Sequence, residues 1–269
     1  MKGILKEEFN RAFRNPRFLI VVVLALAVFG IGAYRSPVFL FGQAVHPVNR
    51  LLLNLRYGDF GFLAALLATL PFADSFLDDL NQGFLRQIIQ RVPYRKYKAA
   101  KIIAVALTGG LSLVLVVLLI FLAGLVGATD WNAATYFSTF AEQSSTPKGP
   151  LAELYAVNPI YYLFYLLASA FGFGAGQALM GLAFSTIIHN RYVVLALPLV
   201  IVQVLDFLQS RALHVTSALN LLNGLLPYEA LSFLSPEYTL EAQLAQFGVV
   251  SIVSIIAFLA LARKQRLVL

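Results

Sequence analysis

The sequence predicts an all-α integral membrane protein with six transmembrane helices, and three observations carry that prediction. Of 269 residues, 59% are apolar and only 12% are charged, with a mean hydropathy of +0.79. A soluble domain carries about 45–50% apolar and about 25% charged residues, so this chain has too little charge to cover a water-facing surface. The apolar residues fall in long runs, which select membrane helices over a barrel. Finally, the basic residues gather in alternate connections between those runs. Collagen-like, disulfide-stapled and disordered classes are excluded by 18 glycines, no cysteine and an aliphatic majority. The lack of cysteine also excludes thiolate metal sites and a cysteine nucleophile.

The first element is an amphipathic leader over residues 1–17, MKGILKEEFNRAFRNPR. Leu5, Phe9 and Phe13 recur every fourth residue, while Lys2, Lys6, Arg11 and Arg14 line the remainder, so an interfacial helix on anionic lipid is expected. Asn15-Pro16 ends it and turns the chain into the first span, 18–34. A cleaved secretory signal fits less well, because the leader carries Glu7 and Glu8 and no small-x-small site follows the apolar run. Further spans are expected at 60–77, interrupted near its end by Pro71 and Asp74, and at 102–128, 160–188, 192–208 and 247–262. About 20 helical residues cross a hydrocarbon core of about 30 Å. One transmembrane domain, 1–269, accounts for the chain, with no internal repeat.

Orientation follows from the basic residues. Fifteen of the 20 lie in 1–17, the 74–101 connection, Arg191 and the tail from Arg263. Arg35, Arg50, Arg56, Lys148 and Arg211 make up the other side. The richer side is expected to be cytoplasmic, with both termini there, in a cell (plasma or inner) membrane. The net charge of +7 is therefore an orientation signal, and no nucleic-acid partner is expected.

The connection between spans two and three holds a second amphipathic piece. Phe84, Leu85, Ile88 and Ile89 form an apolar face, and Arg86, Gln87, Gln90 and Arg91 the opposite one; Pro93 ends the helix. Outside the bilayer such a face needs a membrane surface or a groove on another protein. Asp79 with Arg91 or Arg95 is expected to brace this connection.

In this region the chain resembles the permease subunits of type-2 ABC transporters. The residues carrying the resemblance are Asp79, Gly83, the apolar turn Phe84 to Ile89, the step Arg91-Val92-Pro93-Tyr94-Arg95, and Lys101 opening span three. Asp79 stands where that family more often has glutamate. The leader and the six-span length match as well. The resemblance implies one half of a transporter, paired with an identical or related second permease half. It implies that the 84–91 segment is a coupling helix, docked through Asp79, Gly83, Phe84, Leu85, Arg86, Ile88, Ile89, Arg91 and Pro93 onto a separate nucleotide-binding ATPase subunit. That partner would hold ATP and Mg; the chain itself needs no cofactor and is not the enzyme. Consistently, no G-x-x-x-x-G-K-[ST] phosphate loop occurs. Export is the direction the resemblance favours.

Polar groups inside spans are candidate transport-path residues because lipid penalises them: Gln177, Gln203 and Asp206, the last near a span end where a solvated carboxylate is the simpler role. Gly172, Gly176 and Gly181 suit close helix packing, within the chain or at a dimer seam. The 209–246 connection, with short apolar pieces bounded by Pro227 and Pro236, suggests re-entrant or surface helices before span six. The 129–158 connection, with Trp131, Tyr136 and Tyr155, suggests a small external cap. Two other functions would make different demands on the sequence. An immunity or sensor protein would bind a peptide with its external connections. An intramembrane enzyme would need H-E-x-x-H or a carboxylate pair at depth, whereas His46, His189 and His214 are isolated and Glu7-Glu8 lies in the leader.

Overall fold

A computed structural model describes residues 2–36, 46–126, 151–211 and 240–268, all of whose regular structure is helical. Among the described residues, four helices are long and apolar enough to cross a membrane, and a sharply bent pair makes a fifth candidate. The expected 209–246 helices and most of the 129–158 cap lie outside the described residues.

Helix α1 (Lys2–Phe13) ends where expected, and Asn15 organises the turn that follows. Its side-chain oxygen accepts from the Arg17 amide at 3.1 Å, and its amide nitrogen donates to the Pro71 carbonyl at 2.9 Å. Helix α2 (Arg17–Arg35) is long enough, at about 1.5 Å per residue, to cross a hydrocarbon core.

The second span departs from expectation. Helix α3 (Pro47–Tyr57) is capped by His46, whose ring nitrogen accepts from the Val48 amide, and α4 (Phe60–Thr69) follows at an angle of 86°. Asp59 sits between them at φ 56°, a left-handed conformation that interrupts the helix. An ion pair of 2.7 Å from Arg35 to Asp59 ties the bend to the end of α2. The ten residues of α4 rise only about 15 Å, so 60–77 is not one straight span. Pro71 marks its other limit, and α5 (Ser75–Asn81) and α6 (Phe84–Arg91) complete the connection.

Helix α7 (Tyr94–Leu125) starts on Pro93 and runs without a break through the expected third span as far as Leu125; residues 127 and 128 lie outside the described residues. After α8 (Ala152–Val157), α9 (Pro159–Phe184) occupies the expected fourth span, 160–188, as far as Phe184. Asn158 caps α9 by accepting from the Ile160 amide. Helices α7 and α9 form the most extensive pairing, and it closes on glycine. A Cβ at Gly174 would stand 2.5 Å from the Gly109 carbonyl oxygen, so the two backbones touch where neither residue has a side chain. Helices α10 (Arg191–Arg211) and α11 (Leu240–Val268) supply the fifth and sixth expected segments.

The apolar interior falls into two clusters. One lies between α2, α3, α4, α7 and α9, with Tyr155 of α8 and a residue of α10 at its edge. The other gathers Ala12, Phe76, Leu85, Tyr97, Leu182 and Phe258 at the charged end of the bundle. There the Phe76 and Phe258 rings meet edge to face, 5.2 Å apart, and Tyr94 donates to the Ala262 carbonyl at 2.7 Å.

Candidate functional site: the seat of the loop helix

Helix α1 turns Glu8 and Ala12, one helical turn apart, toward the protein, while Lys6, Glu7, Asn10 and Arg14 remain exposed. Phe9 and Phe13 stack 6.1 Å apart, and Phe13 continues onto Phe18 at 5.5 Å, so an aromatic strip runs from α1 into α2. The leader thus has the expected apolar face and, in addition, a face that enters an ion-pair cluster.

At the centre of that cluster is Lys101, fully buried two turns into α7. Its Nζ lies 2.7 Å from Glu8 Oε2 and 2.8 Å from Asp79 Oδ2. The rings of Phe72 and Tyr97 face it at 5.1 and 5.7 Å, adding cation–π stabilisation. Asp79, also fully buried, accepts from the Tyr97 hydroxyl at 2.6 Å on Oδ2 and from Arg11 at 2.7 Å on Oδ1. Arg11 reaches Glu8 as well, at 3.4 Å. Two carboxylates and two cations make the group electrically neutral. Burial pushes the Asp79 carboxyl up, but Lys101, Arg11 and the Tyr97 hydroxyl outweigh it and hold the group below its ordinary range. The braces of Asp79 are therefore Arg11 and Lys101, not Arg91 or Arg95. The reason is geometric: α5 points Asp79 inward, against α1 and α7.

A second carboxylate lies at the other end of α5. Asp74 pairs with Arg17, which also reaches Asp78 at 3.7 Å, and its Oδ2 faces Arg191 Nε at 3.7 Å. That oxygen has no hydrogen-bond partner. Burial, with Asp78 adding repulsion, raises the Asp74 carboxyl despite Arg17.

The loop helix α6 rests on this foundation. Gly83 adopts φ +71°, which lets the chain reverse between α5 and α6 without steric cost. Leu85 is buried in the charged-end cluster and Ile88 packs at its edge, whereas Phe84, Gln87, Arg91 and Pro93 are exposed. The side chains of Arg86 and Ile89 lie outside the described residues. The expected apolar face therefore divides: Leu85 is anchor, and the free ridge is Phe84, Gln87 and Arg91, spaced i, i+3, i+7.

Among the other expected residues, Gln177 is buried in α9 with its Oε1 unpartnered, and Gln203 is half-buried on α10. The Asp206 side chain lies outside the described residues. Gly172 and Gly176 face α11 within the chain: added Cβ atoms would meet the Phe247 ring at 2.7 Å and Val250 at 3.4 Å. Gly181 lies against Ala73 and Thr69. Sequence reasoning passed over Glu8, Arg11, Arg17 and Tyr97 as site residues. The available signal was Glu8 standing among the cations of the leader, one turn from an alanine rather than from a bulky apolar residue. Among the described residues, no three His, Asp or Glu side chains converge on a metal position. Comparison of the chain with family models, curated proteins and solved structures finds no match.

Proposed function

We propose that this chain is the transmembrane half of an ATP-driven exporter, and that α6 is the element through which a separate nucleotide-binding subunit drives it. The observation that supports this reading best is the mounting of α6: a short helix with one bare ridge, seated by Leu85 in the charged-end apolar cluster and joined by the Gly83 turn to α5, which ion pairs through Asp79 fasten to α1 and α7. Such a helix can pass a push on its outer face to α7 directly through Leu85 and indirectly through α5, whose Asp79 is ion-paired with Lys101. In this reading the chain passes six times through the membrane, with α3 and α4 together as the second pass and α10 as the fifth. The charged end faces the cytoplasm, and a second permease half completes the path.

Copurification tests the reading. Phe84→Asp with Gln87→Asp alters only exposed positions. The pair should release a nucleotide-binding subunit and abolish substrate-stimulated ATP hydrolysis while leaving the chain folded. Retention of both would overturn the assignment. Orientation is tested by thiol labelling, since the chain has no native cysteine. A cysteine at Ser145 should react from outside intact cells, and one at Gln87 should not.

A further inference from the structure

Helix α10 carries Pro198 in its interior. Proline has no amide hydrogen, so the Val194 carbonyl loses its normal donor four residues ahead. The next carbonyl, Leu195, accepts a hydrogen bond from outside the helix, from Thr69 Oγ1 at 2.9 Å. Thr69 is fully buried at the last residue of α4. Gly181 of α9 lets the three helices meet there, its α-carbon face lying beside Thr69 and the Val194 carbonyl. Seven residues before Pro198 on α10, Arg191 reaches Asp74, just beyond the same end of α4. The first two turns of α10 are thus fastened to the α4–α5 corner at two points. One internal hydrogen bond to the rest of α10 is missing at the boundary.

We infer that α10 is a two-part helix hinged at Pro198, whose first segment, 191–197, is latched to α4 and α5 by the Thr69 hydroxyl and the Asp74–Arg191 pair and swings as one piece when the latch opens. Asp74 and Asp79 stand at opposite ends of α5, so a displacement of α5 reaches α10 through this latch. That the displacement originates at α6 rests on the function proposed above; the hinge and latch do not.

The test uses the purified full chain in lipid nanodiscs, without nucleotide or partner. Spin labels at Tyr192 and Val204, both exposed, straddle Pro198, and their distance distribution reports the hinge. A second pair, Tyr192 with Gln87, reports the latch. Pro198→Ala should narrow the first distribution toward that of a straight helix. Thr69→Val, which keeps the shape but removes the hydroxyl, should broaden the second, and Thr69→Ser should restore it. Arg191→Gln lies at the surface and carries the latch test even if Thr69→Val fails to fold. An unchanged first distribution in Pro198→Ala overturns the hinge. An unchanged second distribution in Arg191→Gln, or failure of Thr69→Ser to behave as the native chain, overturns the latch. Because no partner is present, these outcomes are separate from those of the copurification.

Discussion

Asp79 and Asp74 are both buried, lie on or beside the same seven-residue helix, and face opposite circumstances. Asp79 has partners on both oxygens, two of them cations and one of those, Lys101, itself buried. Asp74 has Arg17 on one oxygen, while the other has only a half-exposed arginine at 3.7 Å. The first arrangement is a mount: every charge is compensated, and removing Lys101 strands two carboxylates in a dry site. The second is a joint: one partner can leave into water and return at little cost. One short helix therefore carries a rigid attachment at the end near α6 and an adjustable one at the end near α10.

The mount gives the largest expected effect. Lys101→Met leaves two buried carboxylates with only Arg11 between them. Breaking a buried pair from one side costs about 3–5 kcal/mol, because the remaining charge is uncompensated. Thermal unfolding in detergent should show that loss, and loss of nucleotide-binding-subunit capture should follow. A Lys101→Met chain as stable as the native one would mean that the cluster is solvated and is no mount.

Acid titration separates the two carboxylates by sign. A carboxyl held below its ordinary value contributes stability that is present above that value and is lost as pH falls through the lowered one. Asp79 behaves so. A raised carboxyl does the opposite: its ionised form is penalised in the folded state, and the penalty disappears as pH falls through the raised value. Asp74 behaves so. Asp74→Asn should therefore remove a stability gain seen on mild acidification, leaving the loss at lower pH intact. Asp79→Asn should remove much of that later loss. Melting temperatures measured from about pH 7 to about pH 3 bracket both ordinary values. Identical pH profiles for Asp74→Asn and the native chain would erase the contrast.

Between mount and free ridge lies Gly83. A Cβ there meets nothing within 4 Å, so Gly83→Ala strains only the backbone, at about 1–2 kcal/mol for a left-handed residue. Because Leu85 seats α6 from beyond this point, subunit capture should survive the substitution. Loss of capture without loss of stability would show that the turn, and not the mount, aims the ridge.

Much of this arrangement was legible in sequence where the signals are local. The 3.6-residue period of Phe9 and Phe13, the period of Phe84 and Ile88, and Pro93 as a boundary each act over one or two turns. The bend in the second span was less legible. Gly58-Asp59 is a turn signal, but the 86° angle also depends on α2, whose Arg35 pairs with Asp59. The cluster was least legible: Arg11 and Asp79 are 68 positions apart, and Asp79 has nearer cations in Arg91 and Arg95. Proximity along the chain favoured those, whereas packing of α5 against α1 and α7 decides the pairing. Similarly, Lys101 reads as the last of a basic approach, yet it is the one buried inside the bundle while Arg95 and Lys96 remain exposed.

The smallest thermodynamic effect belongs to the joint. Arg191 is about half exposed and its contact with Asp74 is long, so screening by water leaves the pair worth little. Arg191→Gln should shift unfolding by no more than about 0.5 kcal/mol, the range of ordinary surface substitutions. The same substitution should nevertheless broaden the distance between α6 and the first turn of α10. A latch must be weak enough to open under load, so a small stability change together with a clear change in geometry is its signature. A loss comparable to that of Lys101→Met would make Asp74–Arg191 a second mount, and α5 would then be rigidly attached at both ends.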